Sequence, residues 1–151
     1  MRIINKTDLR VGELFCAAVD GFDHSGLSVE IKHCPAGSSR FISGTYYVQT
    51  EGHPDGRLIR LRINKDNTYP IRIHFKTSDY FTRIDKKGAE ITYQRLRYES
   101  FNTPEDLLLA IFLHEFSHYM DHMEGRNGRY KQTKADKFAI QRLEALGIVG
   151  G

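Results

Sequence analysis

Cysteine is scarce: Cys16 and Cys34 are the 2 in 151 residues, and neither lies in a CxxC motif. Two thiols are too few for a disulfide framework, and buried thiols in a cytosolic protein are the expectation. Long apolar runs are absent as well. The longest, Leu107 to Leu113, is followed at once by His114 and Glu115, which excludes a bilayer-spanning helix there. The start, "MRIINKTDLRVGELF", has no sustained apolar stretch of the kind a signal peptide needs, so a cytoplasmic setting is expected. No internal repeat occurs, and no linker is long enough to divide the chain, so residues 1–151 are read as one domain. Net charge is only +3, which does not by itself argue for a nucleic-acid partner. Hydrophobic content of 40% and charged content of 27% exclude a disordered or fibrous chain.

Charge is unevenly spread. Residues 57–98 carry 11 Lys or Arg against 4 acidic groups. Arg57, Arg60, Arg62, Arg72, Arg95 and Arg97 fall on expected strands, so a basic sheet face could meet phosphates or an acidic partner. The alternative is the solvated face of a half-buried sheet.

Periodicity predicts a helix over 7–19, capped by Thr7 or Asp8, with Leu9, Leu14, Phe15 and Ala18 as its apolar side. "LSVEIKHC", "RFISGTYYVQT" (weakened or bulged near Gly44), "RLIRLRIN", "IRIHFKT" and "AEITYQRLRY" read as strands. They are expected to form a sheet of about four or five strands, mostly between short-loop neighbours. The turns "EGHPDG", "KDNTYP" and "DKKG" separate them. The period changes at Phe101. Thr103 is an N-cap residue type, with Pro104 at N1 and Asp106 at N3, which predicts a helix from Pro104 to about Met123 stopped by Gly125. "GRNGRY" connects to a last helix, "KQTKADKFAIQRLEAL".

The first of these two helices carries His114-Glu115-x-x-His118. Residues four apart stack on one helix side, so both imidazoles can face one ion, while Glu115 is rotated by about a hundred degrees toward a bound water. That division suits hydrolysis: the metal acidifies a water and polarises a carbonyl, and the glutamate takes the proton. The competing arrangements are hydrogen-bonded core histidines beside a salt-bridged glutamate, or a structural metal site. Zinc is inferred from ligand type; manganese or iron would also accept two imidazoles and a carboxylate.

The motif, the preceding "TPEDLLLAIFLHEFSH" and the later "QTKADKFA" resemble the zincin metallopeptidases, in particular the minimal gluzincin, ImmA-like and SprT-like groups. The resemblance implies an α+β, zincin-like fold with an N-terminal helix, a small mixed β-sheet, the HExxH helix and a C-terminal helix. It implies zinc-dependent cleavage of a peptide or protein substrate, with His114 and His118 as ligands and Glu115 as general base. The third-ligand glutamate of the "ExxADxxA" pattern falls here on Gln132, and Asp136 matches the aspartate that steadies a ligand histidine. Because a negative ligand is chemically the better one, Asp136 is preferred over Gln132 as the third ligand. Asp121 and His122 are further ligand candidates, reachable if the helix bends. Tyr119 and Tyr130 are candidates for oxyanion support, as zincins use Tyr or His there. SprT-like groups place a third histidine after a glycine, whereas this chain has Gly128-Arg129. The family also implies that one strand, sought here within 57–98, borders the cleft and pairs with substrate. Of the other histidines, His24, His33, His53 and His74, the last is the one to inspect, on the polar side of its strand. The rival expectation is a non-enzymatic binding protein that keeps the fold, has lost the third carboxylate and uses its basic sheet for protein or nucleic acid.

Overall fold

A computed structural model describes residues 1–48, 57–125 and 131–150 of the chain. The order is β1 (Arg2–Asn5), α1 (Gly12–Ala18), β2 (Leu27–His33), β3 (Ile42–Tyr47), β4 (Arg57–Ile63), β5 (Ile71–Ile84), β6 (Glu90–Phe101), α2 (Pro104–Met123) and α3 (Gln132–Ala145). The fold is α+β, with a mixed sheet ordered β1-β2-β4-β3 and a separate β5-β6 hairpin. β1, β2 and β4 run parallel, and β3 joins β4 antiparallel as one edge strand, with β1 at the other edge. No helix among the described residues is long and apolar enough to cross a membrane.

The expected sheet of sequence neighbours is corrected in two ways. β2 pairs with β4 rather than with β3, and the last two strands form their own ribbon. The arginines divide accordingly. Arg60 of β4 meets Glu30 at 2.7 Å. In the ribbon, Arg97 contacts Glu99 and Glu144, while Arg72 and Arg95 lie over the rings of Tyr98 and Phe81. They belong to two sheets and do not compose one continuous basic face.

The first helix is shorter than its period suggests. Asn5 and Thr7 close a side-chain-to-backbone turn, so neither Thr7 nor Asp8 caps α1, which begins at Gly12 without a side-chain cap. Such local bonds compete with helix formation. Cys16 is exposed and Cys34 half-buried, both unpaired, against the expectation of buried thiols.

α2 starts where its caps direct: Thr103 Oγ1 accepts from the Asp106 N–H, with Pro104 in the first turn. Its apolar side is buried, and Phe112 stacks on Phe15 of α1 with ring centroids 4.3 Å apart. Leu27, Val29 and Ile31 of β2 and Ile59, Leu61 and Ile63 of β4 join the same core. Gly44 pairs in register with Leu61, with no bulge. Its glycine serves another need: a Cβ there would stand within 2.4 Å of Ile111 Cγ2 and 3.4 Å of Glu115 Cγ. The missing side chain lets the edge strand lie directly on α2, beside the HExxH turn. A branched methyl fixed to a buried helix yields little, so Gly44→Ala is expected to destabilise the fold by about 1–3 kcal/mol, read as a lower midpoint in urea unfolding. An unchanged midpoint would show that β3 does not depend on this contact.

Candidate metal centre

His114 and His118 project from one side of α2, with ring centroids 4.9 Å apart. His114 Nδ1–H donates to Asp136 Oδ1 at 2.6 Å, and Asp136 Oδ2 accepts the Lys76 backbone N–H at 2.7 Å. The first bond places a proton on Nδ1, so the neutral ring carries its lone pair on Nε2. The two Nε2 atoms are 3.2 Å apart, and Gln132 Oε1 is 3.2 Å from His118 Nε2. Gln132 also hydrogen-bonds the His114 ring.

These distances test whether the residues suit a metal. Donors about 2.0–2.1 Å from a tetrahedral zinc lie about 3.3 Å from one another. The 3.2 Å separations of His118 from His114 and of His118 from Gln132 match that spacing along two edges, so the donor set is compatible with such a site. Among the described residues, no group of three or more His, Cys, Asp or Glu is arranged to hold a metal; the group beside the two histidines, Gln132, is an amide.

Asp136, preferred on charge as the third ligand, lies on the opposite side of the His114 ring from the Nε2 pair and supports that ring instead. The pairings His114 with Asp136 and His118 with Gln132 step by one turn in opposite directions, as antiparallel helices require. The other candidates lie away from the cluster. Asp121 is buried and bonds Lys134 Nζ at 2.5 Å, and His122 Nδ1 meets the Tyr46 hydroxyl at 2.8 Å. Tyr119 is a core side chain packed against Tyr46 and Phe116. Tyr130 and His53 lie outside the described residues, as do the "EGHPDG" turn and residues 126–130 of "GRNGRY". His33 borders a separate cavity, and His24 meets the Met1 amino group.

Glu115 is buried beside the cluster, and its carboxyl is pushed up to about 7. Burial raises it, while the charge of His114 and a hydrogen bond from the Tyr46 backbone oppose the rise and the Asp136 carboxylate adds to it. His114 is shifted up too: burial disfavours its charge, but the hydrogen bond to Asp136 and the charge of Glu115 outweigh that. A group titrating near neutrality can both accept and return a proton at ordinary pH.

The cluster opens into a cavity of about 550 Å³ between β3 and β5. Two strands border it: β3, which lies on α2, and β5, which falls within the 57–98 segment named from the resemblance. Sequence reasoning singled out His74, which lines the cavity, but missed Arg40, Ser43 and Lys76, which line it too. Comparison with protein-family models, with curated proteins and with solved structures gives no match in any of the three.

The Glu115 shift carries a stability consequence. Its folded value lies above the ordinary 4.5, so the fold favours the protonated acid. That contribution is fully present below about pH 4.5 and is lost as pH rises through about 7. In chelator-treated protein, Glu115→Gln should therefore gain stability relative to the parent across this window, by an amount on the order of 3 kcal/mol at its upper end. Denaturant midpoints measured against pH give the comparison. Parallel curves would contradict a strongly shifted carboxyl.

Proposed function

We propose that this chain is a zincin-like metallopeptidase that hydrolyses peptide bonds. The observation that carries the reading is the convergence of His114, His118 and Gln132 with a buried glutamate one residue from the first of them. Zinc bound there would supply Lewis-acid polarisation of a carbonyl and a more acidic water.

The chain's own groups divide the remaining work. Glu115 accepts the proton of the attacking water and returns it to the leaving amine. Its burial raises its basicity into the range where both transfers are efficient. Asp136 holds His114 in one tautomer and one orientation, and the Lys76 N–H holds Asp136. The Tyr46 amide steadies Glu115. β3 pairs only with β4 among the described strands, so its outer edge can align an extended peptide by backbone hydrogen bonds.

Gln132 favours a second reading. An amide does not offset the metal's charge, and a chain that has lost a carboxylate there could retain the fold as a binding protein. The two readings separate in a cleavage assay. Zinc-loaded protein is offered a quenched-fluorescence peptide library beside Glu115→Gln. Under the peptidase reading, cleavage falls by about 100-fold or more in the variant. Cleavage unchanged by Glu115→Gln, or no cleavage by the zinc-loaded parent, would favour the binding protein.

A further inference from the structure

Two cations, Arg40 and Lys76, stand at the walls of the cavity. Arg40, beside the start of β3, faces it from one side, and His74 and Lys76 of β5 from the other. The two carboxylates in the cavity are already engaged. Asp136 is held by His114 and the Lys76 N–H, and Glu115 by the Tyr46 backbone. Elsewhere, Arg60, Arg97 and Lys134 meet acidic partners. Among the described residues, neither the Arg40 guanidinium nor the Lys76 ammonium forms an ion pair.

The spacing on β5 is informative as well. His74 and Lys76 alternate on the strand and share the face opposite the buried Phe75. Arg72 extends the row and lies 4.1 Å over the Tyr98 ring. Alternate positions on a strand are separated by about 6.6–6.8 Å, the same repeat as in an extended peptide. A peptide lying along the cavity can thus place side chains of every second residue against this row. Positive groups without an ion-pair partner favour carboxylates and disfavour ammonium groups.

We infer that the site selects extended acidic peptide segments, with carboxylates at alternate positions read by Lys76 and His74 on one wall and by Arg40 on the other. This substrate class rests on the peptidase reading, but binding tests it without cleavage. Zinc-loaded Glu115→Gln protein would be titrated with three labelled peptides that differ only in carrying Glu, Gln or Lys at alternate positions, read by fluorescence anisotropy. The Glu peptide should bind about tenfold tighter than the Gln peptide, with the Lys peptide weakest, and added salt should shrink the difference. The combined Arg40→Glu and Lys76→Glu variant should reverse the order. Single Arg40→Gln and Lys76→Gln variants, milder for folding, should each reduce the Glu preference. Equal binding of the Glu and Gln peptides, no binding of the Glu peptide, or a preference untouched by these variants would overturn the assignment. Parent protein that prefers the Glu peptide yet leaves all three intact would refute hydrolysis while leaving the acidic-peptide site standing.

Discussion

The Asp136 carboxylate ties three elements together. One oxygen accepts from the His114 ring on α2, the other from the Lys76 amide on β5, and the residue itself sits on α3. A buried carboxylate is costly unless hydrogen-bonded, so this side chain constrains how α3 and β5 can approach α2. The same bond assigns the proton of His114 to Nδ1, which leaves Nε2 available on the side where His118 and Gln132 converge. Packing and chemistry therefore share one constraint: the contact that docks the last helix also prepares the donor atom.

Around that contact the charges are distributed by their surroundings. Glu115 is buried with one backbone amide and rises to about 7. Glu30, also buried, behaves in the opposite sense: burial raises its carboxyl, but Arg60 and Lys6 overcome this and hold it below the ordinary value. Two glutamates in one small fold thus differ because one meets cations and the other faces a cavity. Gly44 completes the arrangement by letting the edge strand reach Glu115 without intervening side-chain bulk.

Local signals were legible where the physics is local. Thr103, Pro104 and Asp106 mark the start of α2, and the offset of four places His114 and His118 on one helix side. The strands of the middle segment could be found from alternation, but their pairing could not, because β2 and β4 become neighbours through contacts distant in the chain. β1 is only 4 residues long, too short for a period to register. Gln132 and Asp136 share a helix side, so the sequence alone could not decide which one faces the imidazole pair. An antiparallel constraint across the α2–α3 turn would have matched 118 with 132 and 114 with 136. Charge preference pointed the other way and gave the metal to Asp136. Arg40 and Lys76 carry no motif, and only the meeting of β3 and β5 across the cavity brings them together.

Metal stoichiometry is the most direct test of whether His114, His118 and Gln132 hold a metal. Untagged protein reconstituted with zinc and freed of excess should retain about one zinc per chain by elemental analysis, the number a single mononuclear site holds. His118→Ala should lose it, and Gln132→Glu should bind it more tightly than the parent. Absence of zinc after reconstitution, or equal retention by His118→Ala, would contradict the assignment of these side chains to a metal.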